Sequence, residues 1–200
     1  MPPKFVFVRH GEAGHNVAFH KLGESAFTDP HYQDPLLTKQ GIEQARDTAQ
    51  KLQGLRFLDL WSSPLTRCLQ TSEELFEELS INRMYVHDNL LERLGGGHIC
   101  NKRATKRILK DKFSIFDTEF LPDFPPDWVD REPQAALNQR MRMVVLQLAD
   151  LYKHFSEDFH ILIVSHADAL GSLTGKPFKN AEFVVMKVEE LPRVLEFGQQ

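Results

Sequence analysis

Phe5-Val6-Phe7-Val8-Arg9-His10-Gly11-Glu12 is the stretch on which the reading of this chain turns. Four consecutive apolar residues, β-branched and aromatic and without alternation, read as a strand buried on both faces. Such strands belong to parallel sheets, and in parallel sheets ligands bind outside the carboxyl ends of the strands. The residues that follow the run are therefore the first place to look for chemistry, and they are an arginine and a histidine.

A second run, Ile161-Leu162-Ile163-Val164, has the same character and is followed by Ser165-His166-Ala167. A weaker third candidate strand, residues 57–61, leads into Ser62-Ser63-Pro64-Leu65-Thr66-Arg67. Residues 84–87 and 183–188 are the fourth and fifth candidates. Helical patterns separate these runs. Thr38 is a plausible N-cap for a helix through about Leu52, ending near Gly54. Pro64 suits the first turn of a helix reaching about Leu79. Leu137, Met141, Val144, Val145, Leu148 and Tyr152 recur at helical spacing within a long amphipathic helix from about Pro133 to Phe155. Strands alternating with helices predict an α/β fold with a mostly parallel sheet.

Two stretches read as irregular, residues 18–37 and residues 93–132. The second contains Gly95-Gly96-Gly97 and a proline-rich segment, and is too long for an ordinary connection. It is expected to carry its own helix and to act as a cap inserted into a single domain spanning residues 1–200.

Bulk composition narrows the function classes. Apolar residues make up 42% and charged residues 26%, ordinary values for a globular protein. A formal net charge of −4 carries no nucleic-acid signature. The short apolar N-terminal run is no signal-peptide core, and no segment approaches a membrane span. Cys68 and Cys100 have neither metal-site spacing nor the look of a disulfide framework. The expectation is a cytoplasmic protein, monomer or homodimer, with no nucleic-acid or membrane partner.

If the candidate strands are parallel neighbours, two histidines and two arginines reach one sheet edge. Arginine matches phosphate oxygens with a planar fork of donors, and a neutral imidazole is a competent nucleophile near pH 7. One ring nitrogen must be free and the other held as a donor by a fixed acceptor. The Gly11 carbonyl is a candidate for that acceptor. Phosphoryl transfer is largely positioning and charge stabilisation, so a nucleophile ringed by cations suffices once a proton donor serves the leaving oxygen.

At these residues the chain resembles the histidine phosphatase superfamily, in the branch that includes cofactor-dependent phosphoglycerate mutases. Arg9-His10-Gly11-Glu12 with Asn16 resembles the nucleophile signature. The stretch from Leu37 to Ala45 resembles the next block, and the stretch from Ser62 to Thr71 the block with the second phosphate arginine. Leu91-Glu92 followed by Gly95 resembles the acid/base position, and Ser165-His166-Ala167 the second histidine block. Five blocks in the family's order make a specific match. The resemblance implies a three-layer α/β/α sandwich and a phosphohistidine at His10. It also implies phosphate binding by Arg9, Asn16, Arg67, His166 and Ala167, and Glu92 as general acid then base. No cofactor and no metal are implied. Residues 92–133 are similar to a plant and fungal mutase-like subgroup, with a basic stretch and a loop containing Trp128.

Departures bear on substrate. Ala13 and Gly14 replace a serine-plus-bulky pair. Gly96-Gly97-His98 replaces a tryptophan-glutamate-glycine pattern of true mutases. Asp168 to Asn180 leaves little room for a long helix. The expected activity is hydrolysis of a phosphorylated small molecule or phosphoprotein. The rivals are a phosphoglycerate-type mutase and a binding or scaffold protein that keeps the pocket without turnover. His15, His20 and His31 read as exposed loop histidines, with His15 also a candidate for the pocket mouth. Lys102, Lys106 and Lys110, with Arg103 and Arg107, read either as a solvated helix face or as a patch that attracts anionic substrate.

Overall fold

The computed structural model describes residues 3–127 and 130–191. Trp128 of the expected cap loop, and residues 192–200, lie outside the described residues. One six-stranded sheet organises the chain, in the order β4-β3-β2-β5-β1-β6. The strands are β1 (Lys4–Arg9), β2 (Arg56–Ser62), β3 (Arg83–Val86), β4 (Phe116–Asp117), β5 (Phe159–Ser165) and β6 (Phe183–Met186). All neighbouring pairs are parallel except β1 with β6, which is antiparallel.

Alternation along β1 shows why its apolar run is continuous. Phe5 and Phe7 join a core with Leu137, Met141 and Val144 of α6 (Gln134–Leu151) and with Ala169 and Leu170 of α7 (Ala167–Thr174). Val6 and Val8 join the opposite core, with Ala49 and Leu52 of α3 (Lys39–Leu52) and Leu69 and Leu75 of α4 (Thr66–Glu78). Helices thus cover both faces, the three-layer α/β/α arrangement that the family resemblance implies, on the mostly parallel sheet expected from the alternating pattern. The Thr38 cap forms as read: its hydroxyl oxygen accepts from Gly41 N at 3.0 Å.

The first stretch expected to be irregular is mostly helical. It holds α1 (Gly14–Leu22), α2 (Ser25–Thr28) and a 3₁₀ turn, Pro30–Tyr32. Its helices lack a strong apolar stripe, which is why periodicity does not find them. Their start is set locally, because Asn16 Oδ1 accepts from Ala13 N at 3.0 Å.

Residues 93–132 divide between two jobs. The middle belongs to the body of the fold: α5 (Lys106–Lys112) buries Leu109, and Phe116 and Leu121 enter the same core as β4 joins the sheet edge. The flanks, about Leu94 to Arg103 and Asp130 to Glu132, lie over the sheet's carboxyl end. They are clamped together, since a Cβ at Gly95 would lie 1.8 Å from Asp130 O, and Glu132 N donates to Leu94 O at 2.9 Å. Gly95 also has a φ of +73°, so glycine is required there twice over.

The basic run breaks up. Arg103 is buried and forms a bidentate pair with Asp88 at 2.7 and 2.9 Å, and Lys102 precedes the helix. Lys106, Arg107 and Lys110 remain as the partly or fully exposed basic face of α5.

Candidate active site

Because β5 lies between β1 and β2, three carboxyl-terminal strand ends are adjacent. His10 N donates to Ser165 O at 3.0 Å, and Ser63 N donates to Val164 O at 2.9 Å, so both chain exits are pinned to β5. The turn after His10 lies flat against the start of α3. A Cβ at Gly11 would sit 2.3 Å from Gly41 O, and one at Gly41 would sit 2.1 Å from Glu12 O. Two glycines therefore permit the close approach. Gly11 N donates to Thr71 Oγ1 at 3.1 Å, and that hydroxyl donates to Arg67 O at 2.8 Å. Glu12, inside the signature, is structural: its carboxylate accepts from the Thr38 hydroxyl at 2.7 Å, and its amide donates to Gln44.

The same turn sets the tautomer of His10. Nδ1 lies 2.7 Å from Gly11 O, an acceptor only, so Nδ1 carries the proton. The lone pair of Nε2 is left facing Arg67, whose Nε donates to it at 3.2 Å. Burial, then Arg67 and Arg9, hold the His10 pKa well below its ordinary value, so the ring is neutral at pH 7.

Arg67 occupies the first turn of α4 and is 1% exposed. NH2 donates to Asn101 Oδ1 at 2.9 Å and lies 3.2 Å from His166 Nδ1, while NH1 donates to Cys100 O at 2.8 Å. One guanidinium thus joins the two histidines to the loop at Cys100 and Asn101. His166, fully buried, has Nε2 2.7 Å from Ser63 Oγ. A hydroxyl both donates and accepts, so Ser63 satisfies either tautomer of His166, including the one that presents Nδ1–H to an oxyanion. Burial and Arg67 keep His166 neutral as well. Arg9 donates from NH1 to Phe178 O at 2.7 Å, and its buried Nε has no hydrogen-bond partner. A buried guanidinium donor without an acceptor fits a site that takes an anion.

Glu92 sits across the cavity at the start of α7. Its carboxylate accepts from Arg93 N at 2.9 Å, Ala169 N at 3.1 Å and Asp168 N at 3.2 Å. Burial first, and Asp168 second, raise its pKa above the ordinary carboxylate range. The backbone around it is held by a buried pair that the sequence reading missed. Arg140 donates to both Glu132 oxygens at 2.9 and 2.7 Å and also to the carbonyls of Asn89, Leu91 and Glu92. α7 is short, ending at Gly175 with φ +70°, consistent with the limited room after Asp168.

A cavity of about 280 Å³ is lined by Arg9, His10, Asn16, Arg67, Glu92 and Ala167 on its inner side. All the catalytic and phosphate-binding candidates except His166 line it directly, and His166 lies behind, with its ring 5.1 Å from that of His10. His15 is buried and lines the cavity; burial, then Arg67 and Arg9, push its pKa down to about 2. His20 and His31 are exposed and outside it. Asn101, Phe19, Phe27, His98 and Arg131 complete the wall. They come from irregular or weakly patterned segments, where nothing in a single sequence separates them from surface residues. Ser63 and Thr71 were within reach, since both lie in the block that holds Arg67. Among the described residues, no group of three or more His, Cys, Asp and Glu is placed to hold a metal ion, and no helix is long and apolar enough to cross a membrane.

A neutral histidine with one ring nitrogen held unprotonated, two arginines and a buried carboxyl group opposite form an arrangement suited to phosphoryl transfer on an α/β scaffold. Residues 5–181 match the histidine phosphatase superfamily (branch 1), and the chain belongs to that family. It is 26% identical over 187 residues to a probable phosphoglycerate mutase of Arthroderma benhamiae, covering 82% of this chain and 55% of that protein. It is 35% identical over 91 residues to a 2,3-bisphosphoglycerate-dependent phosphoglycerate mutase of Parvibaculum lavamentivorans, covering 44% and 40%. The chain thus spans about half the length of these curated relatives or less.

Among solved structures, a mycobacterial glucosyl-3-phosphoglycerate phosphatase superposes with a TM-score of 0.65 at 20% identity, covering 92% of each chain. The ecdysone phosphate phosphatase of Bombix mori gives 0.66 at 14%, covering 94% of this chain and 90% of that one. At these identities the likeness establishes the fold.

Proposed function

We propose that this chain hydrolyses a phosphomonoester through a phosphohistidine on His10, without a metal ion. The observation that carries the reading is the fixed tautomer: Nδ1–H donates to Gly11 O, and the Nε2 lone pair faces the Arg67 guanidinium. In the first step Nε2 attacks phosphorus, the phosphorus–oxygen ester bond breaks, and protonated Glu92 gives its proton to the leaving oxygen. In the second, water attacks phosphorus and gives a proton to Glu92, and the phosphorus–nitrogen electron pair returns to Nε2. Arg9, Arg67 and the Nδ1–H form of His166 stabilise the equatorial oxygens, with Asn16 and the Ala167 backbone beside them. Both arginines supply positive charge of the kind a metal ion brings to other phosphoryl-transfer sites.

The substrate in this reading is a phosphorylated small molecule, admitted under the flanks of residues 93–132, which act as the cap. Cys68 and Cys100 are both buried and free, which supports a reducing compartment such as the cytoplasm. The names of the mutase relatives favour a second reading, in which the same covalent step returns the phosphoryl group to a sugar acid. The wall beyond Glu92 speaks for hydrolysis, because it holds glycines and His98 where a mutase-like tryptophan-glutamate pattern is missing.

The test is hydrolysis of an aryl phosphate in excess chelator by wild type and His10→Ala. Chelator-resistant turnover that falls by at least about 10³-fold in the variant supports the reading. Turnover that survives in the variant overturns it.

A further inference from the structure

Beyond the phosphate end, the cavity has a wall of a different kind. Phe19 and Phe27 stack with ring centroids 5.2 Å apart and planes 12° apart, and His98 lies against the same Phe27 with centroids 5.1 Å apart. All three line the cavity that holds His10. Phe19 is 41% exposed and Phe27 is partly buried, so the pair is not simply filling the core. Flat apolar surface left open beside a reactive centre is surface available for a ligand.

The acidic and basic side chains on this side are Glu24, Asp168 and Arg131. Arg131 has an acid partner already, 3.6 Å from Asp168 Oδ2, and it also hydrogen-bonds the His98 ring. Two carboxylates against one paired arginine leave no surplus positive charge for a second anionic group on the substrate. The phosphate end has its own cations and is separate from this balance.

We infer that the leaving group is an alcohol with a planar, apolar body and no second anionic group, stacked on Phe27 and Phe19. This rests on the covalent reading above and names the substrate class of that site. It sets the chain apart from enzymes acting on phosphoglycerate, whose carboxylate would face Glu24 and Asp168. The cavity, about 280 Å³, is at the small end of small-molecule sites, so the body is about one fused ring system.

The experiment compares kcat/KM for naphthylmethyl phosphate, glycerol phosphate and phosphoglycerate. All three release an alkyl alcohol, so intrinsic reactivity is matched. Naphthylmethyl phosphate is expected to exceed glycerol phosphate by about tenfold or more, the scale of one aromatic stack. Phosphoglycerate is expected to be the poorest. Phe27→Ala narrows the naphthylmethyl-to-glycerol ratio about tenfold and Phe27→Trp restores it. Phe19→Ala, at a half-exposed position that folding tolerates, narrows it to a smaller degree.

Inhibition by inorganic phosphate verifies that each variant is folded. Equal rates on naphthylmethyl and glycerol phosphate, a preference for phosphoglycerate, or a ratio unmoved by both alanine variants would overturn the inference. Trapping phospho-His10 from each substrate keeps the two readings apart. Phosphohistidine without aromatic selectivity removes only the substrate class. Absence of phosphohistidine and of turnover on all three removes the covalent reading and this inference together.

Discussion

The two ends of the cavity are made of different material. At the phosphate end every functional group hangs from a strand end or a helix start: Arg9 and His10 from β1, His166 from β5, Arg67 from the first turn of α4. Backbone bonds across three parallel strands hold these exits, and the His10 ring is locked by its own neighbour's carbonyl. At the opposite end the wall is loop and short helix, joined by aromatic contacts and one half-exposed ion pair. Under the proposed function, the contrast assigns the reaction to the rigid sheet edge and the choice of substrate to the loop and short-helix segments.

Glu92 stands where the two ends meet, so replacing it has the largest expected effect on the comparison. For an alkyl phosphate, Glu92→Gln should lower kcat by about 10²- to 10⁴-fold. For an aryl phosphate, whose leaving group needs no proton, the first step should survive and the phosphoenzyme should accumulate, as seen by rapid alkaline quench. Equal losses of the first-step rate on both substrates, read as kcat/KM, would remove the proton-donor role. The sign of the pH dependence follows from the raised pKa. The first step uses the protonated carboxyl, so kcat/KM falls as pH rises through that value, and the falling limb is missing in Glu92→Gln.

Asn101 links the loop over the sheet's carboxyl end to Arg67. Asn101→Ala leaves Arg67 NH2 without one of its acceptors, and kcat should fall about tenfold. Weaker inhibition by inorganic phosphate should accompany the loss, and it should be weaker still in Asn101→Asp, which sets a negative charge against the guanidinium. A variant with unchanged phosphate inhibition would show that the two ends are independent.

The last expected effect is on stability and leaves turnover at pH 7 untouched. Burial depresses the pKa of His15 to about 2, so between its ordinary value near 6.5 and that point the unfolded chain binds a proton that the folded chain does not. Stability therefore falls as pH drops below about 6.5, by about 1.4 kcal/mol per pH unit for such a group. Urea melts across this range should show a shallower slope for His15→Phe. An unchanged slope would mean that the ring is solvated in the folded state.

The same contrast explains what could be read from sequence. The convergence of Arg9, His10, Arg67 and His166 was legible because Arg9, His10 and His166 adjoin strands that announce themselves as apolar runs, and Arg67 follows a weaker one. The acceptor role of the Gly11 carbonyl was legible too, since it is local to the turn. The helices of residues 14–28 were not, because they are short and their apolar residues face a cavity as much as a core. Asn101, Glu132 and Arg140 act through contacts between segments far apart in the chain, and single polar residues in such segments look like any others. The stretch 93–132 was legible in length but not in its division, because Leu109 and Phe116 pack under the sheet while the flanks cross above it.

The central claim is chemical: Nε2 of His10, and no other nitrogen, carries the phosphoryl group. Phosphorus NMR and peptide mapping of the alkaline-quenched enzyme, caught during turnover of an aryl phosphate, test it directly. A phosphoamidate on His10 at Nε2 is the expected result, with Nδ1 kept by Gly11 O. A phosphoamidate at Nδ1, on His15 or on His166, or turnover with no phosphoenzyme at all, would contradict it.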